Sequence, residues 1–321
     1  MKEIIAPVNP ELIEKELTGE RFLRHTNKAD NRIYVVTAHD APHTMREIGR
    51  LREMAFRQGG GGSGNEMDTD RFDFMDEPYR QLIVWNPDGR EIIGGYRFIE
   101  GRDASLRPDG QPDIASEHIF RFSETFMHDY LPCTLELGRA FVQPKYQSIK
   151  GGIKSIFALD NLWDGIGALV AQRPHVKYLF GKVTIYSKTD PEARKAMIFY
   201  LNHFFRDRQG LLIPKKEETV TGTDTARLLS LMGADSSYKK GFTWLNGYVR
   251  ERGDCIPPLI HAYIELSPSM TTFGTVFDPD FGDIYDTGLM ITLSDVYQIK
   301  KERYIETYLR NSACNTPRNF V

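Results

Sequence analysis

Apolar residues recur along this chain in two rhythms, and each change of rhythm marks an element. Over residues 11–23 they follow helical spacing with a break at Gly19. Residues 32–38 carry Ile33, Val35 and Val36, the β-branched types that suit a strand. Met45, Ile48, Leu51, Ala55 and Phe56 return to helical spacing over 43–58. That segment stops at Gly59-Gly60-Gly61-Gly62-Ser63-Gly64, a run with almost no backbone restriction that resembles an engineered linker. Residues 79–85 and 91–99 read as strands joined by Asn86-Pro87-Asp88-Gly89, whose residue types favour a tight turn. A helix is predicted over 116–129, a strand over 134–142 broken by Pro144, and a helix from Gly151-Gly152 to about 172. A strand over 178–185 and a helix over 191–208 follow.

From Gly210 the pattern weakens into a polar stretch of about 40 residues. Order returns at Pro257-Pro258, suited to opening a helix over 259–266, and a strand over 287–293 and a helix over 295–309 complete the pattern. Alternating strands and helices behind antiparallel hairpins predict an α/β fold built on a mixed sheet. We read residues 1–209 as a core and 210–321 as a C-terminal half packed on it, one continuous domain.

Composition narrows the function classes. With 40% hydrophobic and 26% charged residues the chain can bury a globular core. A net charge of −3 gives no global reason to expect nucleic acid as a partner. Cys133, Cys255 and Cys314 have neither zinc-ligand nor disulfide-framework spacing, so we expect no metal and a reducing, cytoplasmic setting. No run of about 18 apolar residues is present to span a membrane.

Three constellations could carry chemistry. The first joins Arg52 and Phe56, across the glycine run, to Asp68, Asp70, Phe72 and Asp73, with Arg97 on a later strand. Acids so close repel one another unless cations meet them, and Arg52, Arg71 and Arg97 are the nearest. A solvated acidic loop is the plainer reading; a calcium hand is disfavoured because its later Gly and Glu are missing. The second runs from Glu136 through Arg139, Phe141 and Val142 to Gln147, Lys150, Gly151 and Gly152. A basic, glycine-bearing loop entering a helix can bind phosphate through outward backbone N–H groups, although an ordinary turn has the same look. Glu136 on a central strand needs a partner if buried, and an internal ion pair with an arginine would supply one. It and Arg139 fall on opposite faces of a regular strand, so only a bulge near Gly138 brings them together. The third, Pro257-Pro258-Leu259 with Tyr263, Asp278, Asp280, Phe281 and Asp286, reads as architecture.

In order and spacing, Arg52, Phe56, Asp68, Asp70, Phe72, Asp73, Arg97, Glu136 and Arg139 resemble the charged and aromatic landmarks of acyl-homoserine-lactone synthases. The fuller match, from about Arg24-His25-Thr26-Asn27 to Tyr304, is to the haemolysin-labelled acyltransferases, which include ornithine and glycine N-acyltransferases of bacterial aminolipid synthesis. It rests on Glu136-Leu-Gly-Arg139, Val142-x-Pro144-x-Tyr146, Leu162-Trp163-x-Gly165-Ile166, Leu179-Phe180-Gly181, Pro257-Pro258-Leu259 and Asp278-x-x-Phe281. The chain departs from the pattern in the spacing between Gln147 and Gly151 and in the length of 210–254.

The resemblance implies a GNAT-like fold whose central strands, 134–142 and 178–185, splay to admit a phosphopantetheine arm. It implies an N-acyltransferase moving a long, 3-hydroxylated acyl group from acyl carrier protein, or from acyl-CoA, to glycine first and ornithine second. No permanently bound cofactor is expected. Glu136 would take the amine proton. A backbone N–H near Phe141 or Val142 would polarise the thioester, and the backbone of Gln147, Lys150, Gly151 and Gly152 would hold the phosphate. Arg52, Asp68, Asp70, Asp73, Arg97 and Arg139 would shape the cleft, and Phe120, Phe126, Trp163 and Phe180 would line an acyl tunnel. Lys145, Lys150, Lys154 and Lys177 are candidates for docking acidic carrier protein. Cytoplasmic placement with peripheral membrane contact suits a lipid-like product. The rivals are a lactone-forming synthase, a non-catalytic scaffold, and a lyso-lipid O-acyltransferase. The last is disfavoured because the chain's only neighbouring His–Asp residues, His39-Asp40 and His128-Asp129, are adjacent rather than four apart.

Overall fold

The computed structural model describes residues 1–147 and 152–315. Helix α1 (Pro10–Glu16) and strands β1 (Phe22–His25) and β2 (Arg32–Val36) lead into the long helix α2 (Pro42–Gly59). A single turn, α3 (Arg71–Phe74), precedes the hairpin β3 (Arg80–Asn86) and β4 (Glu91–Glu100), then β5 (Phe120–Phe122) and β6 (Thr134–Val142). Helices α4 (Ile153–Ile156) and α5 (Ala158–Ala171), strand β7 (Tyr178–Ile185) and helix α6 (Pro191–Phe205) complete the first two thirds. Then come β8 (Leu212–Pro214), β9 (Glu217–Glu218), α7 (Gly222–Met232), α8 (Tyr238–Arg250), α9 (Pro258–Ile264), β10 (Thr271–Asp278) and β11 (Ile284–Thr292).

Nine of these strands form one mixed sheet in the order β1-β2-β3-β4-β6-β7-β11-β10-β9. Residues beyond 209 therefore supply three strands of the same sheet that holds β1–β4, β6 and β7. One face packs against α5, α6, α8 and α9 through Leu82, Phe98, Leu137, Leu162, Met197 and Leu245. The other carries two smaller clusters: one with α2 (Met45, Ile48, Leu51 with Ile83 and Trp85), one around Phe120, Phe126, Phe180 and Phe273.

The expected splay is present. β6 pairs in parallel with β7 only from Thr134↔Tyr178 to Leu137↔Gly181. Beyond that point β6 stays with β4 as far as Gly94↔Val142, and β7 stays with β11 as far as Ile185↔Tyr285. Each strand keeps one neighbour and loses the other, so the sheet opens along residues 138–142.

Several expectations change. The segment read as a helix over 116–129 holds β5 and one wide helical turn, Phe126–Tyr130. The helix expected to begin at Gly151-Gly152 is split at Phe157 into α4 and α5. The helix expected over 295–309 begins at Gln298, after a short turn at Leu293–Asp295, and runs unbroken to Asn315. The polar stretch after Gly210 contains α7 and α8, capped by the Thr221 and Ser237 side chains, with Leu228, Met232, Leu245 and Val249 buried in the main core. β10 went unrecognised, its alternation masked because Thr272, Phe273, Gly274, Thr275 and Val276 are all buried.

The glycine run is part of the fold rather than a linker. Gly60 ends α2 in the left-handed region (φ 102°), which glycine adopts without strain. A Cβ on Gly59 would stand 2.5 Å from the Tyr186 ring. The buried Glu53 carboxylate accepts hydrogen bonds from Ser63 N (3.0 Å) and Gly64 N (2.8 Å), gathering the run around one charge.

Candidate active site

A cavity of about 830 Å³ runs through the splay. Its walls come from Gly138–Val142 of β6, Lys182 and Thr184 of β7, the ends of β10 and β11, and the segment Ile114–His118. One end is apolar, where Ile156, Leu159, Leu162, Pro258 and Leu259 meet; the other is charged, with Asp70, Arg97, Glu136, Arg139, Asp278 and Asp286.

The charged end begins on β6. The register with β4 steps from Arg97↔Gly138 to Gly95↔Phe141, so Arg139 and Ala140 together oppose Tyr96. That is the bulge expected near Gly138, and Arg139 takes a left-handed φ of 47° within it. Arg139 and Glu136 both line the cavity but do not pair with each other. Glu136 is buried, and its partners correct the expected internal ion pair. One carboxylate oxygen accepts from the Tyr79 hydroxyl; the other accepts from Ser116 N (3.1 Å) and Ser116 Oγ (2.6 Å). Burial, reinforced by the Glu136 charge, pushes the Tyr79 phenol far above its usual range, so it stays a donor.

The first constellation is assembled by α3. Asp70 caps that turn and Asp73 reaches back to the Asp70 N–H, a reciprocal box that aims both carboxylates inward. Arg52, fully buried on α2, donates from Nη1 to Asp73 (3.2 Å) and from Nη2 to Gln81. Arg97 Nη1 donates to both Asp70 oxygens (2.7 Å). Arg139 pairs with Asp68 (3.1 Å) and Asp70 (3.3 Å) and lies over the Phe281 ring at 4.1 Å. Three arginines thus face three aspartates, so the block is no solvated acidic loop. Burial drives the Asp68 carboxyl upward, Arg139 and Arg52 opposing it. For Asp70 burial acts in the same direction, but Arg97 and Arg139 outweigh it and hold the carboxyl below the usual range.

The opposite bank escaped sequence reasoning. Asp286 accepts from Thr184 Oγ1 (2.6 Å) and pairs with Lys182 (2.7 Å). His118 Nε2 meets Asp278 at 3.0 Å and its Nδ1 meets the Ala115 carbonyl at 2.7 Å. Burial raises the Asp278 carboxyl, but His118 and Lys182 bring it below the usual range. His118 and Asp278 are 160 positions apart, so sequence neighbours said nothing about this pair. Asp278 had been read as architecture. The segment Ala115–His118 therefore bridges the cleft, tied to Glu136 on one side and to Asp278 on the other.

The remaining expected residues are distributed unevenly. Phe141, Val142 and Gln147 line the cavity, and Gln147 Nε2 donates to the Val142 carbonyl (2.7 Å). Gly152 caps α4. Lys150 and Gly151 lie outside the described residues. Phe120, Phe126 and Phe180 are buried together on one sheet face and Trp163 on the other, and none of the four lines this cavity. The apolar end is instead made by residues of α4, α5 and α9, a grouping that required the fold to be seen. Lys145 and Lys154, suggested for carrier docking, pair with Glu91 and Asp88. Among the described residues there is no cluster of metal-ligating side chains and no helix long and apolar enough to cross a membrane.

Residues 51–153 match the family model described as an acetyltransferase (GNAT) domain. A glycine N(alpha)-acyltransferase of Bacteroides thetaiotaomicron is 47% identical over 311 residues, covering 97% of this chain and 92% of its own. One of Phocaeicola vulgatus is 46% identical over 310 residues, covering 97% and 94%. Among solved structures, the AHL synthase LasI aligns over 87% of this chain and 98% of its own, with 11% identity and a TM-score of 0.41.

Proposed function

Since the chain belongs to the glycine N(alpha)-acyltransferase family, a GNAT-type acyltransferase by descent, we propose that it transfers a long, 3-hydroxylated fatty acyl group from acyl carrier protein to the amine of glycine. The observation that carries this reading is the cavity at the splay, apolar at one end and charged at the other, with Glu136 on its wall. An acyl chain suits the apolar end and an amino acid the charged end, and the reacting atoms meet beside residues 138–142.

The mechanism follows from what lies there. β6 has no ladder partner on its β7 side beyond Leu137, so its backbone there is available to the thioester oxygen. An N–H near Phe141 or Val142 polarises that carbonyl, an effect typically worth about 3 kcal/mol in the barrier. Glycine arrives as an ammonium ion. Glu136 takes one proton, directly or through a water, and the free amine attacks the carbonyl carbon. The tetrahedral intermediate collapses with loss of the thiolate, which takes up a proton as the N-acylglycine leaves. The start of α4 after Gly152 receives the phosphate of the donor arm.

Transfer to an alcohol draws on the His118–Asp278 pair, but both ring nitrogens of His118 already face acceptors, leaving neither to take an alcohol's proton. The test is to supply 3-hydroxypalmitoyl carrier protein or 3-hydroxypalmitoyl-CoA together with mixed amino acids and to identify products by mass spectrometry. N-acylglycine formed faster from the carrier protein supports the reading. Released thiol without an acylated amine overturns it.

A further inference from the structure

We propose that the unpartnered side of the Arg97 guanidinium seats the carboxylate of the acceptor, making the cleft selective for α-amino acids over simple amines; this rests on the acyl-transfer reading of the same cleft. Arg97 is only 3% exposed, yet it lines the cavity. Its two bonds to Asp70 both come from Nη1. Nε is buried with no hydrogen-bond partner, and Nη2 donates to no acceptor among the described residues. A buried donor left unpaired is costly, and the Nε groups of Arg52 and Arg139 in the same network are left unpaired too. Nε and Nη2 form one edge of the planar fork, the edge that grips a carboxylate with two parallel bonds.

Gly138 stands across the ladder from Arg97, and a Cβ there would make ordinary contact with Nε at 3.5 Å. Like the other cations on the cavity wall, Arg97 has its charge met, by Asp70 and by Asp73 at 3.6 Å; what it leaves unpaired is a donor edge. Lys182 pairs with Asp286, Arg71 with Asp113 and Arg107 with Glu117, while Arg139 pairs with Asp68 and Asp70.

The spacing suits a zwitterion. Glu136 pairs across the ladder with Ile99 and Gly138 with Arg97, so Glu136 and Arg97 are diagonal neighbours on one sheet face. The Tyr79 ring lies between them, its centroid 5.2 Å from the guanidinium and its hydroxyl on Glu136. A carboxylate on Arg97 turns the adjacent ammonium towards Glu136, the group that deprotonates it. Arg97 is a binding residue here, and its effect falls on acceptor affinity.

The experiment compares glycine with glycinamide as acceptors for the wild type and for Arg97→Lys, measuring KM and kcat for each, with the KM of the acyl donor as an internal control. Loss of two charge-assisted bonds predicts that wild type prefers glycine over glycinamide by roughly ten- to a hundredfold in kcat/KM. Arg97→Lys should raise the glycine KM by a similar factor, erase the preference and leave the donor KM unchanged. Should the variant not fold, the wild-type comparison decides alone. Equal use of the two acceptors by wild type, or an unchanged glycine KM in a folded variant, overturns the seat and leaves the acyltransferase standing. Failure of wild type to acylate glycine at all overturns both.

Discussion

At the scale of single residues, the account rests on buried charges that are answered by other buried charges. Arg52 is fully enclosed, and its guanidinium meets Asp73 and Gln81. Burial lowers its proton affinity, with Asp73 opposing that shift. Replacing Arg52 by Leu leaves the buried Asp73 charge to the more distant Arg97 at 3.6 Å, and we expect a loss of about 3 kcal/mol in urea unfolding. Adding Asp73→Asn should recover part of the loss; a single variant as stable as wild type would contradict the ion-pair description. Repulsion among close acids pointed to Arg52 and Arg97, but its third candidate, Arg71, pairs with Asp113 instead, and Arg139, marked by the family resemblance, takes that place. The neutral partners were not legible. Tyr79 and Ser116 hold Glu136 from 57 and 20 positions away, and neither stands out by type or local spacing.

At the scale of elements, periodicity served for the central strands of the sheet and for α2. β6 and β7 were expected at the bounds they have, and α2 within a residue at each end. β10 was missed because five consecutive buried residues leave no alternation to read. α7 and α8 were missed because their buried stripes are narrow, although each begins with a Thr or Ser cap that could have marked it. A tie between elements also yields a pH prediction. Asp164 on α5 accepts from the Asn27 backbone N–H (2.8 Å), clamping the turn after β1 to the helix. Burial pushes its carboxyl from the ordinary 3.8 up to about 6, although the Asn27 bond and Arg24 oppose the shift. The folded chain therefore holds a proton there that the unfolded chain releases, so this group's contribution to stability falls as pH rises from about 4 to about 6. In thermal melts across that window, Asp164→Asn should gain on wild type as pH rises. Parallel curves would show that Asp164 titrates alike in both states.

At the scale of the whole molecule, one continuous sheet places an apolar end and a charged end on either side of a gap in its middle. The gap follows from strand order: β6 and β7 are parallel neighbours whose outer partners hold them apart beyond Leu137. Sequence landmarks located this site along the chain, but not its far wall, which comes from β10, β11 and the Ala115–His118 segment. On the near wall, the Glu136 carboxylate of β6 drives acylation of glycine in the proposed reaction. That role is tested most directly by the single-turnover rate of N-acylglycine formation, with donor saturating, in wild type and Glu136→Gln. A fall of about 10²–10⁴-fold is expected in a variant that keeps its fold and its donor affinity. A variant within a few-fold of wild type would contradict it.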